Sequence, residues 1–193
     1  MRFFLAPFRL IYKLYFALIF GVSLVLFAPA FLIAAQLKNG FNYGFTWRKV
    51  WSKFLEIFLF VPLMIKGKEN FPVSGPYVIV ANHASYLDIM LLYNIVPHRF
   101  RFLGKSEILN WPIMKNVFRQ MDIAVDRNNK MRAFKSIEKC GEALQQGHSI
   151  VIFPEGGWDP KAKGLQRFKN GAFKLAITNQ VPILPITFQN NKK

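Results

Sequence analysis

The stretch from Leu14 to Leu37, "LYFALIFGVSLVLFAPAFLIAAQL", runs for 24 residues without a formal charge. An α-helix of that length spans the roughly 30 Å hydrocarbon layer of a bilayer, so a transmembrane or deeply embedded helix is expected near the N-terminus. A cleaved signal peptide is the competing reading, because a basic start precedes the stretch and small residues recur in "APAFLIAA". The apolar run nevertheless exceeds the usual signal-peptide core of about 7 to 15 residues. Arg2, Arg9 and Lys13 lie before it and Lys38, Arg48, Lys49 and Lys53 after it, so positive-inside counting does not orient it. Gly21 and Pro29 permit a kink, and a re-entrant hairpin would keep both flanks on the cytoplasmic side. A second stretch, "VWSKFLEIFLFVPLMI" from Val50 to Ile65, is interrupted by Lys53 and Glu56 and reads as an interfacial or partly buried helix. Residues 1–65 are therefore expected to be membrane-associated helices.

The composition agrees with a membrane partner. Hydrophobic residues make up 52% of the 193, 21 are phenylalanine, and 26 Lys/Arg against 10 Asp/Glu leave a formal charge of +16. Residues 1–70 carry nine Lys/Arg against two acids, and residues 98–175 carry fifteen against seven. Charge distributed in this way suits an anionic membrane surface or an anionic substrate. Nucleic-acid binding would call for basic residues interleaved with exposed aromatics, whereas most aromatics here fall in apolar segments. With Cys140 the single cysteine, neither an internal disulfide nor a thiolate zinc cluster can form. His83, His98 and His148 share no metal-ligand spacing, so no metal is expected.

After Lys66 the pattern changes. Apolar, β-rich runs occur at residues 77–82, 99–105, 122–126, 149–155 and 181–188, with helical candidates near 86–95, 110–119, 130–146 and 167–178 between them. Alternation of this kind predicts an α/β domain, and strands apolar on both faces predict a largely parallel or mixed sheet covered by helices.

In such sheets chemistry gathers in loops at the strands' carboxyl ends. "NHASYLD", residues 82–88, follows the first run and places His83 five positions before Asp88. Ser85-x-x-Asp88 also matches a capping box, which would give Asp88 a structural task. The chemical reading has a neutral imidazole take a proton from an alcohol while a carboxylate fixes its tautomer. Five helical residues turn through about 500°, so the pair meets only if His83 precedes the helix and Asp88 lies in its first turn. "FPEGG", Phe153 to Gly157, follows a second run, and its glycines would let backbone amides approach an anion. Arg127, in "VDRNN", ends a third, and a guanidinium can grip phosphate. Lys161, Lys163, Arg167 and Lys169 add further phosphate candidates, with the surface-charge reading open for each.

As a set, "NHASYLD", "VDR", "FPEGG" and "VPILPI", in this order, resemble the four blocks of the glycerolipid acyltransferase family, most closely its 1-acylglycerol-3-phosphate acyltransferases. The resemblance covers Lys66 to Phe188 and implies an α/β acyltransferase domain over residues 66–193, shortened at its C-terminus. It implies His83 as general base and Asp88 as its orienter, with the acceptor alkoxide attacking an acyl thioester directly. It further implies Arg127 as the glycerol phosphate ligand, Glu155, Gly156 and Gly157 as shaping the acceptor site, and "VPILPI" as lining it. Lys105, closing "RFRFLGK", and Arg167 complete the candidate substrate-binding residues. No cofactor is needed, since an acyl-acyl-carrier protein or acyl-CoA donor carries its own activated acyl group. The implied product is phosphatidic acid, made from lysophosphatidic acid by a membrane enzyme with its site on the cytoplasmic face of the inner membrane.

Departures accompany the resemblance. Glu155-Gly156-Gly157-Trp158 stands where many members read Glu-Gly-Thr-Arg, losing a hydroxyl and an arginine, and Met121-Asp122 replaces a common glycine in the second block. An acyltransferase for another acceptor, such as glycerol 3-phosphate, another lysophospholipid or an amino-acid lipid, is the neighbouring alternative. A non-catalytic membrane protein that binds anionic lipid is the alternative from a different class. Nothing resembles a Gly-x-Ser-x-Gly elbow, and Cys140 falls inside an expected helix without an activating signature.

Overall fold

A computed structural model describes residues 6–157 and 164–189, leaving aside the side chains of Ala6 and residues 112–114. The chain divides into two compact units, Met1–Met64 and Ile65–Lys193.

The first unit contains α1 (Ala6–Ala34) and α2 (Gly40–Phe58). Contacts pair early residues of α1 with late residues of α2, which makes the two helices antiparallel. The Tyr12 hydroxyl donates to the Leu59 carbonyl at 3.0 Å, Trp51 Nε1 donates to Ser23 Oγ at 2.9 Å, and Phe27 meets Trp47 edge-on at 6.2 Å. Polar groups in this apolar seam thus have partners, as burial demands. Residues 7–34 of α1 are long and apolar enough to cross a membrane, and Leu14, Leu18, Val22, Val25 and Leu26 are all exposed within the unit. α1 continues through both Gly21 and Pro29.

The helix expected over 50–65 is displaced toward the N-terminus. α2 begins at Gly40 and stops at Phe58, where Phe60 takes a positive φ of 53°. Pro62 follows, and proline has no N–H with which to continue a helix.

The second unit is built on five strands, β1 (Val78–Ala81), β2 (Phe100–Lys105), β3 (Ile123–Val125), β4 (Ser149–Ile152) and β5 (Ile183–Ile186). Their order is β3-β2-β4-β1-β5 and every pairing is parallel. Helices α3 (Leu87–Ile95), α4 (Pro112–Met121), α5 (Lys130–Gln145) and α6 (Gly171–Asn179) provide the crossovers. All four residues of β1 and of β4 are buried, because helices cover both faces of a parallel sheet. On one face Val78, Val80, Ile150 and Ile152 pack with Cys140, Ala143 and Leu144 of α5 and Ala172, Leu175 and Ala176 of α6. Phe100 and Phe102, two apart and so on one side of β2, meet Tyr93 of α3 at 5.0 and 5.8 Å. At Gly104 the Phe118 ring of α4 lies against β2: a Cβ there would lie 2.8 Å from Phe118 Cζ.

The last helix also differs from expectation, starting at Gly171 rather than near 167. The Gln166 N–H bonds the Glu155 carboxylate at 3.0 Å and the Lys169 N–H bonds the Pro154 carbonyl at 2.8 Å. Those donors are committed to the loop after β4, and the segment runs along that loop instead of coiling.

Candidate active site

Adjacent strands β1 and β4 release their following loops at the same carboxyl edge, and the candidate residues collect there. Asn82 fixes the first loop: its side chain donates to the Phe188 carbonyl at 3.0 Å and accepts the Phe188 N–H at 2.7 Å. His83 follows ahead of α3, and Asp88 lies in the first turn of that helix. This is the arrangement their spacing requires, and His83 Nδ1 lies 3.1 Å from Asp88 Oδ2.

Asp88 is 0% exposed, and the same Oδ2 accepts the N–H groups of Ala84 and Ser85 at 2.7 and 2.9 Å. Oδ2 therefore serves as an acceptor toward every group around it. Nδ1 must then carry the proton, leaving the Nε2 lone pair as the basic atom. Only half of the capping box forms: Asp88 Oδ2 accepts the Ser85 N–H, while the Ser85 hydroxyl accepts the Leu87 N–H at 3.2 Å and the Asp88 N–H goes to the Ser85 carbonyl. One carboxylate both closes the loop and orients the imidazole.

Two residues of "FPEGG" set the rest of the histidine's environment. The Phe153 ring stacks on the imidazole at 4.2 Å with 19° between planes, and Phe102 stacks behind Phe153 at 6.2 Å. Sequence reasoning assigned Phe153 no role, because an apolar residue ending a buried strand looks like core. Glu155 Oε1 accepts the His83 N–H at 2.8 Å and Oε2 accepts the Gln166 N–H at 3.0 Å. Glu155, expected to shape the acceptor site, ties three loop segments together with both oxygens engaged.

Beyond Glu155 the chain turns sharply, with φ of +75° at Gly156 and +159° at Gly157. Arg127, two residues beyond β3, donates through Nη1 to the Gly156 carbonyl, and that nitrogen lies 3.4 Å from where a Gly157 Cβ would stand. Burial lowers the Arg127 pKa, and the Glu107 carboxylate opposes that shift; a guanidinium nonetheless stays protonated. Lys105 ends β2 on the same edge but pairs at 2.8 Å with Glu107, whose carboxyl it holds below the ordinary range. Arg167 is exposed on the segment alongside the loop, with no ion pair among the described residues. Lys169 reaches the turn: its Cε and Nζ lie 2.7 and 2.8 Å from a Cβ built on Gly156. Trp158, Lys161 and Lys163 fall outside the described residues.

A histidine whose Nε2 has no partner among the described residues, its Nδ1 held by a buried carboxylate, therefore shares one loop cluster with an arginine and a lysine. This arrangement can take a proton from a hydroxyl on an anionic molecule. The family model described as Acyltransferase matches residues 63–189, and the chain belongs to that family. It is 29% identical over 187 residues to a chloroplastic 1-acyl-sn-glycerol-3-phosphate acyltransferase of Brassica napus, covering 92% of this chain and 53% of that protein. It is 33% identical over 129 residues to the human 1-acyl-sn-glycerol-3-phosphate acyltransferase alpha, covering 65% of this chain and 45% of that protein. The chain thus spans about half the length of these curated relatives. The crystal structure of the 1-acyl-sn-glycerophosphate acyltransferase PlsC from Thermotoga maritima is similar with a TM-score of 0.74 and 26% identity, over 91% of this chain and 72% of that one.

Proposed function

We propose that this chain transfers a fatty acyl group from a thioester to the sn-2 hydroxyl of 1-acyl-sn-glycerol 3-phosphate, giving phosphatidic acid. The observation that carries the reading is the His83–Asp88 pair, 3.1 Å apart, in a member of the Acyltransferase family. Names of the relatives support the acceptor.

The chemistry follows from the tautomer. Nε2 of His83 takes the proton of the sn-2 hydroxyl as its oxygen attacks the thioester carbonyl carbon. The imidazolium formed is stabilised by the Asp88 carboxylate through Nδ1–H. Collapse of the tetrahedral intermediate breaks the carbon–sulfur bond, and the departing thiolate takes the proton from Nε2 to leave as a thiol. His83 returns to its starting state, and no acyl-enzyme forms. Arg127 binds the phosphate, and Glu155 holds the His83 backbone in place. Acyl-acyl-carrier protein and acyl-CoA are the donors this scheme admits; both are acidic and suit a chain of charge +16. Residues 1–65 act as the membrane-associated part and residues 66–193 as the catalytic domain, working at the cytoplasmic face of the inner membrane.

Membranes carrying the chain, assayed with lysophosphatidate, glycerol 3-phosphate and lysophosphatidylcholine against each donor, test the proposal. Acylation of lysophosphatidate above the other acceptors is expected. Preference for another acceptor would correct the substrate, and turnover of none would overturn the activity.

A further inference from the structure

Lys169 has a position that no motif assigns to it. Its backbone N–H is tied to the Pro154 carbonyl at 2.8 Å, and its side chain lies across Gly156, so close that a Cβ at 156 would stand 2.7 Å from Cε and 2.8 Å from Nζ. Arg127 reaches the same residue by donating to the Gly156 carbonyl. Two cationic side chains, from segments 42 residues apart in sequence, therefore end on one glycine.

Like charges brought together this way repel unless an anion lies between them. Neither neighbouring acid forms an ion pair with Lys169, although the Glu107 charge acts on Arg127. Both Glu155 oxygens accept backbone N–H groups, and Glu107 pairs with Lys105. Among the described residues no ion pair involves Lys169. Gly156, with φ of +75°, provides the turn and leaves the space that the lysine stem occupies.

We propose that Lys169 and Arg127 are the two cations that hold the phosphate monoester of the acceptor at the Gly156 turn. The inference rests on the acyl-transfer reading for the identity of the acceptor. Glu155 connects the turn directly to the His83 backbone, and in the acceptor a single carbon separates the sn-2 carbinol carbon from the phosphate ester oxygen. The base and the cations must then be near neighbours, and Glu155, next to Gly156 in sequence, joins their loops. Lysine supplies a point charge with three rotatable donors, which suits a phosphate that is already oriented by the fork of an arginine.

The test uses the full chain in detergent and compares Lys169→Met, Lys169→Arg and, as a charge-matched control, Lys174→Met on the exposed side of α6. Methionine keeps an unbranched stem over Gly156 while removing the charge. Glycerol 3-phosphate serves as the binding probe, read by phosphorus NMR, and lysophosphatidate turnover is measured in parallel. Loss of one charge-assisted contact predicts that Lys169→Met weakens glycerol 3-phosphate binding and raises the acceptor KM by about fivefold or more. The donor KM stays constant, Lys169→Arg recovers most of the loss, and Lys174→Met changes neither quantity. Unchanged binding in Lys169→Met, an equal loss in Lys174→Met, or no binding by the parent would each overturn the proposal. Binding that responds to Lys169 while lysophosphatidate is not acylated would uphold the phosphate site and refute only the acceptor reading.

Discussion

Replacing Asp88 with asparagine separates the carboxylate's charge from its hydrogen bonds. Oδ2 faces three donors, His83 Nδ1 and the N–H groups of Ala84 and Ser85. An amide NH2 at that position would confront all of them, so the side chain of Asp88→Asn settles with its oxygen there and keeps the loop closed. What is lost is the negative charge beside the imidazolium. Unit charges 4 Å apart attract by about 4 kcal/mol at an effective dielectric constant near 20, and the observed separation of 3.1 Å lies inside that distance. The His83 side chain is 14% exposed, so solvent takes up part of the loss. At 1.36 kcal/mol per factor of ten, kcat should fall by about 10² to 10³. The accompanying stability loss should stay within about 1–3 kcal/mol, the cost of one altered buried partner. Initial rates of phosphatidate formation, taken well below the variant's Tm, measure this, with KM for both substrates expected to change by less than about threefold. A folded Asp88→Asn protein that kept kcat within about tenfold of the parent would refute the electrostatic role of the carboxylate.

Three other substitutions test separate parts of the site and core. Glu155→Gln replaces one acceptor with a donor, leaving the N–H of His83 or Gln166 unpaired at about 1–3 kcal/mol; thermal denaturation should show the loss, and kcat should fall more than either KM rises. Phe153→Leu removes the ring stacked on His83 at 4.2 Å and should lower kcat roughly three- to tenfold, in line with the 0.5–1.5 kcal/mol of an aromatic pair; a normal kcat would mean that Asp88 alone orients the imidazole. Burial pushes the Cys140 thiol up to about 12, so the folded chain should resist thiol alkylation at pH 8. Because the folded pKa is raised, the thiol's contribution is complete below the unfolded value of about 8.5 and is lost as pH rises from there toward about 12. The stability difference between the parent and Cys140→Ala should accordingly shrink by about 1.4 kcal/mol per pH unit across that window in denaturant titrations.

Much of the catalytic fold can be read from local pattern. β1 and β4 are continuous apolar runs because both faces of a parallel sheet are covered, and α5 announces itself by sixteen residues of helical spacing that start after Asn129, whose side chain accepts the Arg132 N–H. Where long-range contacts decide, local pattern misleads. Residues 167–170 have helical composition, yet N–H groups at 166 and 169 are taken by the loop after β4. The onset of α2 at Gly40 is hidden in an aromatic-rich stretch whose buried face becomes visible only against α1. Within the site, His83 and Asp88 are five residues apart and their meeting could be worked out from helix geometry. Glu155 bonds the His83 backbone across 72 residues, and no local spacing signals that both its oxygens are engaged. Lys169 stands in the sequence as one phosphate candidate among four, and only its approach to Gly156, which Arg127 also reaches, singles it out.

The central claim is that His83 is the base for acyl transfer to lysophosphatidate. Mass-spectrometric measurement of phosphatidate formed from 1-acyl-sn-glycerol 3-phosphate and an acyl thioester, by the parent and by His83→Ala at matched membrane levels, tests it most directly. The account predicts sn-2 acylation by the parent and a rate at least about 100-fold lower in the variant, with the variant still folded. Comparable phosphatidate production by the two proteins would contradict it.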